Sequence, residues 1–219
     1  KAAKICVAYD NMDKWFPKDK IVLTGNPLRN NIVPMNDIRD EGVRYFDLNP
    51  DKKTILLVGG SQGALGINKG ISAQLPSFNN NDYQLIWQTG NHYYDKATQE
   101  VRDQGLQDRI KCTVFIDRMD LAYAAADVVI SRAGAMSISE LSLLNKAVVF
   151  VPLPTAAEDH QTKNAMRLVD ANAALMVRND ATEKELLPTV FNLLENIDRQ
   201  NEMKNNIAKF AKPNAANDI

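Results

Sequence analysis

The residues best suited to chemistry lie in one segment, Ser131–Glu140. An apolar run that ends at Ile130 precedes it, and the spacing after it predicts a helix that begins near Ala135. The first N–H groups of a helix have no partner within the helix and lie at the positive end of its dipole, so they can bind a phosphate. Gly134 lets a phosphate approach closely, and Glu140, about one turn further on, offers a carboxylate to a vicinal diol such as a ribose. The segment therefore predicts a nucleotide site.

Two charged side chains in this segment leave alternatives open. Arg132 either pairs with a phosphate or forms an ion pair with a neighbouring helix. Glu140 is either a ligand contact or an ordinary solvated charge on a helix surface. Its position one turn after a helix start opened by glycine favours the binding role.

A second group of polar side chains follows a rigid loop. Pro152 and Pro154 prevent this loop from continuing as strand or helix, and a helix is predicted to begin after it. His160, Gln161 and Asn164 share one face of that helix at spacings of three and four. Imidazole and amide groups donate and accept hydrogen bonds, so this face suits sugar hydroxyls. A purely structural role for the histidine is the alternative.

A glycine-rich loop follows the apolar run Thr54–Val58 and spans residues 59–66. Its glycine spacing does not match the nicotinamide dinucleotide fingerprint, and no Gly-Lys-Ser/Thr follows, as a phosphate loop of the Walker type requires. Exposed N–H groups and the Ser61 hydroxyl, with Gln62 beside it, predict a turn that faces a ligand. Close packing of strand against helix is the alternative.

Composition narrows the class of protein. The chain has 219 residues, 45% hydrophobic and 24% charged, which indicates a soluble globular protein of one or two domains. A net charge of -1 gives no reason to expect nucleic acid as a partner. Two distant cysteines suggest neither a disulfide framework nor a zinc site. The apolar runs are far shorter than the roughly 20 residues that span a bilayer. No catalytic triad, carboxylate pair or metal-ligand cluster is apparent, so we expect no metal and no cofactor.

Alternating strands and helices must position these loops. Continuous apolar runs separated by helical patterns predict a doubly wound, parallel, six-stranded Rossmann-like α/β sheet. Such sheets bind ligands at the carboxyl ends of their strands, where the loops named above should converge. The six predicted strands are Thr54–Val58, Tyr83–Gln88, Ile110–Ile116, Asp127–Ile130, Ala147–Val151 and Ala173–Val177. Two further short strands, Ala3–Tyr9 and Lys20–Leu23, are predicted in a connector before them.

The helical patterns include two predicted caps. Asp117 is expected to cap the helix that begins at Met119, and Thr182 with Glu185 to form a capping box. The predicted helices are Asn36–Phe46, Leu65–Leu75, Tyr93–Gln104, Met119–Ala126, Ser137–Leu144, Asp159–Asp170, Thr182–Leu194 and Asp198–Phe210.

Four segments together resemble the MurG family, the peptidoglycan N-acetylglucosaminyltransferases that convert lipid I to lipid II. They are Thr24–Arg29, Gly59–Ala64, Arg132–Glu140 and Asp159–Ala165, and their order and spacing match across nearly the whole chain. The resemblance implies the carboxyl-terminal, donor-binding half of a two-domain GT-B glycosyltransferase. Residues 1–28 would be the end of the amino-terminal domain and a linker, 29–211 the UDP-N-acetylglucosamine-binding domain, and 212–219 the start of a truncated segment. We therefore expect a piece of a longer protein.

The resemblance also implies a role for each matching residue. Glu140 would bind the ribose. The phosphates would lie at a helix start formed by Ala135, Met136 and Ser137, with Ser137 where threonine is usual and the hydroxyl retained, and Arg29 and Ser61 would lie near them. Backbone groups of Phe115 and Ile116 would read uracil, with Met119 nearby, and Gln161 and Asn164, with His160 adjacent, would bind the N-acetylglucosamine hydroxyls.

The implied reaction is inverting and needs no metal. The hydroxyl of lipid I attacks the anomeric carbon as UDP leaves. The general base, the acceptor loops and the membrane-facing apolar patch would belong to the absent amino-terminal domain. The full-length protein is expected to be peripheral, at the cytoplasmic face of the bacterial inner membrane. The fragment alone is expected to be soluble, to bind the donor weakly and to transfer nothing.

Two other functions remain open from the sequence. One is a UDP-N-acetylglucosamine 2-epimerase or another sugar-nucleotide transferase of the same two-domain fold. An epimerase would need carboxylate acid and base groups that the sequence does not show. The other is a non-catalytic nucleotide-sugar-binding subunit that recruits a membrane-anchored partner.

Overall fold

The computed structural model describes residues 2–8, 12–29, 32, 38–60, 63–156 and 159–219. The strands are β1 (Ile5–Val7), β2 (Ile21–Leu23), β3 (Lys53–Val58), β4 (Tyr83–Gln88), β5 (Ile110–Thr113), β6 (Val128–Ser131), β7 (Ala147–Phe150) and β8 (Leu175–Met176). The α-helices are α1 (Arg39–Tyr45), α2 (Leu65–Gln74), α3 (Tyr94–Asp103), α4 (Met119–Ala125), α5 (Ala135–Leu143), α6 (His160–Asp170), α7 (Thr182–Glu195) and α8 (Ile197–Ile207).

Six parallel strands form the main sheet in the order β5-β4-β3-β6-β7-β8, which confirms the predicted fold class. The chain moves outward from β3 through β4 and β5, then returns to place β6 on the other side of β3. This reversal is the topological switch point at which such sheets bind ligands. Val58 is paired with Ser131, so the loops after β3 and β6 leave the sheet side by side.

Helices cover both faces of the sheet. Ile55 and Leu57 of β3 point into a core built mainly with α2, α3 and α7, whereas Leu56 points into a second core built with α1, α4, α5 and α6. All three side chains are fully buried. Burial on both faces explains why the strands are continuous apolar runs instead of alternating ones.

The third strand of the main sheet ends earlier than its sequence predicts. β5 stops at Thr113, not Ile116, because its one neighbour, β4, ends at Gln88, which pairs with Thr113. The Thr113 hydroxyl then donates to the carbonyl of Phe115 at 2.7 Å and turns the chain away from the sheet. The last strand is also shorter than predicted, since only Leu175–Met176 pairs with β7.

Both predicted helix caps are wrong. Arg118, not Asp117, occupies the cap position of α4, and no side chain caps that helix. At α7 the cap position belongs to Ala181, again without a side-chain hydrogen bond. The Thr182 hydroxyl instead donates to the carbonyls of Gly66 at 2.9 Å and Asn179 at 3.1 Å, so it attaches α7 to α2.

The connector forms a separate parallel pair, β1 with β2, and contacts α5. Thr24 and Gly25 both donate backbone N–H bonds to the Val7 carbonyl at 3.1 Å. The Asn26 amide donates to Ser139 Oγ at 3.1 Å, which ties the segment after β2 to α5. In the described part of the chain, no helix has the length and apolar character needed to cross a membrane.

Close packing of α2 on α7 yields the first prediction. A Cβ at Gly70 would lie 2.6 Å from Thr182 Cβ and 3.0 Å from the Thr182 carbonyl oxygen. Gly70→Ala should therefore lower the free energy of unfolding by about 1–3 kcal/mol, although alanine has the better helix propensity by ~1 kcal/mol. Urea unfolding followed by circular dichroism measures the change. Lys69→Ala, at an exposed position of the same helix, is the control and should stay within ~0.5 kcal/mol. A stabilised Gly70→Ala would contradict this packing.

Candidate functional site

Glu140 is a buried carboxylate, not the solvated surface charge that its helical position alone would suggest. Only 5% of the residue is exposed. Its Oε2 accepts a hydrogen bond from the Tyr123 hydroxyl at 2.9 Å, and its Oε1 lies 3.7 Å from Arg29 Nε. The Arg29 side chain is 58% exposed, so the carboxylate lies between a buried hydroxyl and a cation at the surface. Burying a charge is costly unless it is paired, and this arrangement supplies the partners.

The Tyr123 hydroxyl keeps its proton in this setting. Burial raises the pKa of Tyr123 well above its usual value of about 10, and the adjacent charge of Glu140 raises it further. The tyrosine therefore acts as a permanent donor to the carboxylate at physiological pH.

The start of α5 is open in the way that the sequence predicts. Gly134 occupies the cap position with extended backbone and has no side chain that could cap the helix, and within the described residues no side chain accepts a hydrogen bond from its first N–H groups. A Cβ built at Gly134 would meet only Ser137 Oγ, at 4.0 Å. Ala135 and Ser137 are partly exposed and Met136 is exposed. The helix start therefore presents its unpaired donors beside Ser137 and to the solvent.

Arg132 has a different partner from either sequence alternative. Its Nη1 donates to the carbonyls of Val151 at 2.9 Å and Pro152 at 3.0 Å, which fixes the loop that follows β7. Within the described residues it makes no ion pair with a helix, so that alternative is wrong. Burial lowers the pKa of Arg132 to about 10, which leaves it cationic at neutral pH. Its contact with a phosphate stays a prediction.

The glycine-rich loop is explained in part by close packing. Gly63 has a φ of 75°, and a Cβ there would overlap the Thr89 carbonyl oxygen. A Cβ at Gly66 would overlap the Asn179 side chain. The packing alternative therefore holds for these two glycines. Ser61 and Gln62 lie outside the described residues, so their ligand contacts remain predictions.

A groove of about 710 Å³ separates this glycine-rich loop from the proline loop after β7. The residues that line it include Gly59 and Gly63 of the glycine-rich loop, Leu153 and Pro154 of the proline loop, and Arg132. The groove thus follows the carboxyl ends of β3, β6 and β7, where the sequence predicts a ligand.

Gln161 and Asn164 connect α6 to this same edge of the sheet. Gln161 Oε1 accepts from the Leu153 N–H at 3.0 Å, and Asn164 Nδ2 donates to the Ala133 carbonyl at 3.3 Å. Both side chains are half-buried, and His160 is exposed at the first position of the helix. The predicted sugar-binding face is therefore placed next to the loop that leads into α5.

The predicted uracil loop buries two of its three named side chains and exposes the third. Ile116 and Met119 are 3% and 5% exposed and belong to the hydrophobic core, whereas Phe115 is 49% exposed. This burial is compatible with the implied reading of a base by backbone groups. Among the described residues, no group of three or more His, Cys, Asp or Glu side chains could hold a metal ion.

Sequence reasoning missed Tyr123. The residue lies in the alanine-rich helix α4 and is 2% exposed. A buried tyrosine normally needs a hydrogen-bond partner for its hydroxyl, and this was the available signal. The identity of the partner could not be read from the sequence, because it depends on how α4 packs against α5.

Comparison with known proteins places this site in a family. The profile of the glycosyltransferase family 28 C-terminal domain matches residues 54–219. Relatives in Parabacteroides distasonis and Bacteroides thetaiotaomicron are 49% and 51% identical over 220 and 217 residues, which are 100% and 99% of this chain. Both are named UDP-N-acetylglucosamine–N-acetylmuramyl-(pentapeptide) pyrophosphoryl-undecaprenol N-acetylglucosamine transferase. The chain spans only 59% and 58% of their lengths.

Solved structures agree with this placement. The crystal structure of Acinetobacter baumannii MurG is 28% identical, with a TM-score of 0.75, and the match covers 99% of this chain and 58% of that one. A putative UDP-N-acetylglucosamine 2-epimerase from Listeria monocytogenes has a TM-score of 0.61 over 94% of this chain and 53% of its own, but at 15% identity it shows the fold alone. Such neighbours have a two-domain GT-B architecture. This chain matches the carboxyl-terminal half of that architecture. By its match to the family profile, and with a sheet topology that agrees, the chain belongs to glycosyltransferase family 28, of which it contains the C-terminal domain.

Proposed function

We propose that the full-length protein transfers N-acetylglucosamine from UDP-N-acetylglucosamine to lipid I and so forms lipid II, and that residues 29–211 of this chain bind the donor. The observation that carries the proposal is the uncapped start of α5 one turn before a buried, paired carboxylate, Glu140. A diphosphate and a ribose are the adjacent groups of a nucleotide that match these two features. The names of the relatives at 49–51% identity support this choice of donor and acceptor.

The diphosphate is assigned to the N–H groups at the start of α5. No side chain in the described part of the chain competes for these donors, and the open space at Gly134 allows a phosphate oxygen to reach them. The Ser137 hydroxyl, in the first turn, supplies one further donor. Arg29 and Arg132 carry positive charge near the two ends of this segment, which favours an anion between them.

The ribose is assigned to Glu140 and the sugar to α6. The carboxylate has acceptor positions beyond the one used by Tyr123, and hydroxyl groups are its natural donors. Gln161 and Asn164 each use one end of an amide in contacts with the neighbouring loops, so the other end can meet a sugar hydroxyl. His160 adds an exposed imidazole beside them, and backbone groups of Phe115 and Ile116 are assigned to uracil.

This domain would contribute to catalysis by stabilising the leaving group. Negative charge grows on the UDP diphosphate as the bond to the anomeric carbon breaks. The N–H groups at the start of α5 and the Arg29 guanidinium, which lies 3.7 Å from Glu140, would stabilise this charge more in the transition state than in the ground state. The general base, the lipid I site and attachment to the cytoplasmic face of the inner membrane are assigned to the part of the relatives' length that this chain does not span.

Replacement of the carboxylate tests the ribose assignment. Glu140→Ala should weaken UDP binding by about 1.5–3 kcal/mol, because a hydrogen bond to a charged group is lost. Isothermal titration calorimetry of the 219-residue chain measures this. Glu195→Ala is the matched control, since Glu195 also accepts a tyrosine hydroxyl, from Tyr83 at 3.2 Å, but lies outside the site. Unchanged UDP affinity in Glu140→Ala would refute the assignment.

Donor selectivity and the lack of transfer test the function as a whole. The isolated chain should bind UDP-N-acetylglucosamine weakly but more tightly than other nucleotide sugars, because uracil and sugar contacts both lie in it. It should transfer no N-acetylglucosamine to a lipid I analogue, because the acceptor site and the base lie elsewhere. Competition titrations and a radiolabelled transfer assay measure these two properties. Measurable transfer by the isolated chain would contradict the assignment of the acceptor site and the general base to another part of the protein.

A further inference from the structure

We propose that Tyr123 is a positioning residue that sets the orientation of the Glu140 carboxylate for recognition of the ribose hydroxyls. The inference rests on the proposed function, because it concerns how Glu140 performs the role assigned to it. Tyr123 lies beneath the carboxylate on α4, and the ligand side of Glu140 lies towards Arg29. Tyr123 would therefore act on the nucleotide only through Glu140.

The geometry makes the tyrosine the one short polar contact of this carboxylate in the described part of the chain. The Tyr123 hydroxyl donates to Glu140 Oε2 at 2.9 Å, a normal hydrogen bond. Arg29 Nε is 3.7 Å from Oε1, which is an ion pair but beyond hydrogen-bond distance. The direction of the two oxygens is therefore fixed from the buried side, by a group that a ligand does not displace.

The acceptor positions left after this bond suit a vicinal diol. A carboxylate has about four lone-pair positions, and Tyr123 occupies one of them on Oε2. Oε1 remains open on the side of Arg29. Two adjacent hydroxyls could thus each donate to the carboxylate, provided that its plane does not rotate.

Tyr123 is suited to hold the plane of the Glu140 carboxylate, because its own side chain is held rigidly. Its ring is buried in the core formed with α5 and the sheet, and the residue is only 2% exposed. A tyrosine has few rotatable bonds, so little conformational entropy is lost when it holds a partner in place. The raised pKa of Tyr123 keeps its hydroxyl a donor throughout the physiological range. A group that is preorganised in this way spares the ligand the cost of ordering it.

The test separates recognition of the ribose hydroxyls from general damage. Tyr123→Phe removes only the hydroxyl and keeps the packing of the ring. Affinities of the 219-residue chain for UDP and for 2′,3′-dideoxy-UDP are compared by calorimetry. The unmodified chain should prefer UDP by at least about tenfold, and Tyr123→Phe should reduce this preference to within about threefold. Its affinity for the dideoxy nucleotide should change less than about twofold, since that ligand never uses Glu140.

Two further variants make the outcome specific. Tyr83→Phe removes a similar tyrosine–glutamate hydrogen bond outside the site and should keep the full preference for UDP. In a Glu140→Ala background, Tyr123→Phe should have no further effect on UDP affinity, because a positioning residue acts only through its partner.

The results distinguish the positioning role of Tyr123 from the proposed function. A preference for UDP that survives Tyr123→Phe would overturn the positioning role and leave the proposed function intact. An effect of Tyr123→Phe that persists in the Glu140→Ala background would do the same. An unmodified chain that binds both nucleotides equally, or neither, would overturn the ribose assignment and the role of Tyr123 together.

Discussion

A buried carboxylate needs a hydrogen-bond donor, and the candidate site is arranged around the donor to Glu140, the Tyr123 hydroxyl. Glu140 is only 5% exposed, and the Tyr123 hydroxyl contacts one carboxylate oxygen while Arg29 lies near the other. Those partners come from α4 and from the segment after β2, so two distant parts of the chain meet at α5. The placement of one carboxylate thus links the connector, the second core and helix α5.

The sheet order provides the setting for that charge. The return of the chain to β6 beside β3 creates a crevice at the carboxyl ends of the strands. Arg132 then anchors the loop after β7 by two carbonyl contacts, and Asn164 anchors α6 to the turn before α5. The groups assigned to phosphate, ribose and sugar are consequently held by regular elements, not by loops alone, which suits the proposed stabilisation of a departing diphosphate.

The differences from the sequence predictions concern the ends of strands and the hydrogen-bond partners of side chains. β5 ends where its neighbour β4 ends, and no property of residues 114–116 themselves reveals this. Thr182 has the residue type and spacing of a capping box, yet its hydroxyl bonds to Gly66, 116 positions away in the chain. Arg132 donates to the carbonyls of Val151 and Pro152, in the loop after β7, instead of pairing with a helix carboxylate. In each case a contact with a residue distant in the chain replaced the strand end or the hydrogen-bond partner that the local sequence pattern predicts.

The sequence by itself determined the fold class and the order of the strands and helices along the chain, and it indicated the segments that are proposed to form the site. Hydrophobic periodicity, glycines and prolines act over a few residues, so they can be read without the fold. Only the tertiary structure decided that Glu140 is buried, that Tyr123 is its partner and that Gln161 reaches the loop after β7. The physical reason is that a buried polar group must bond to whatever packing brings within about 3 Å, and packing joins residues that are distant in the chain.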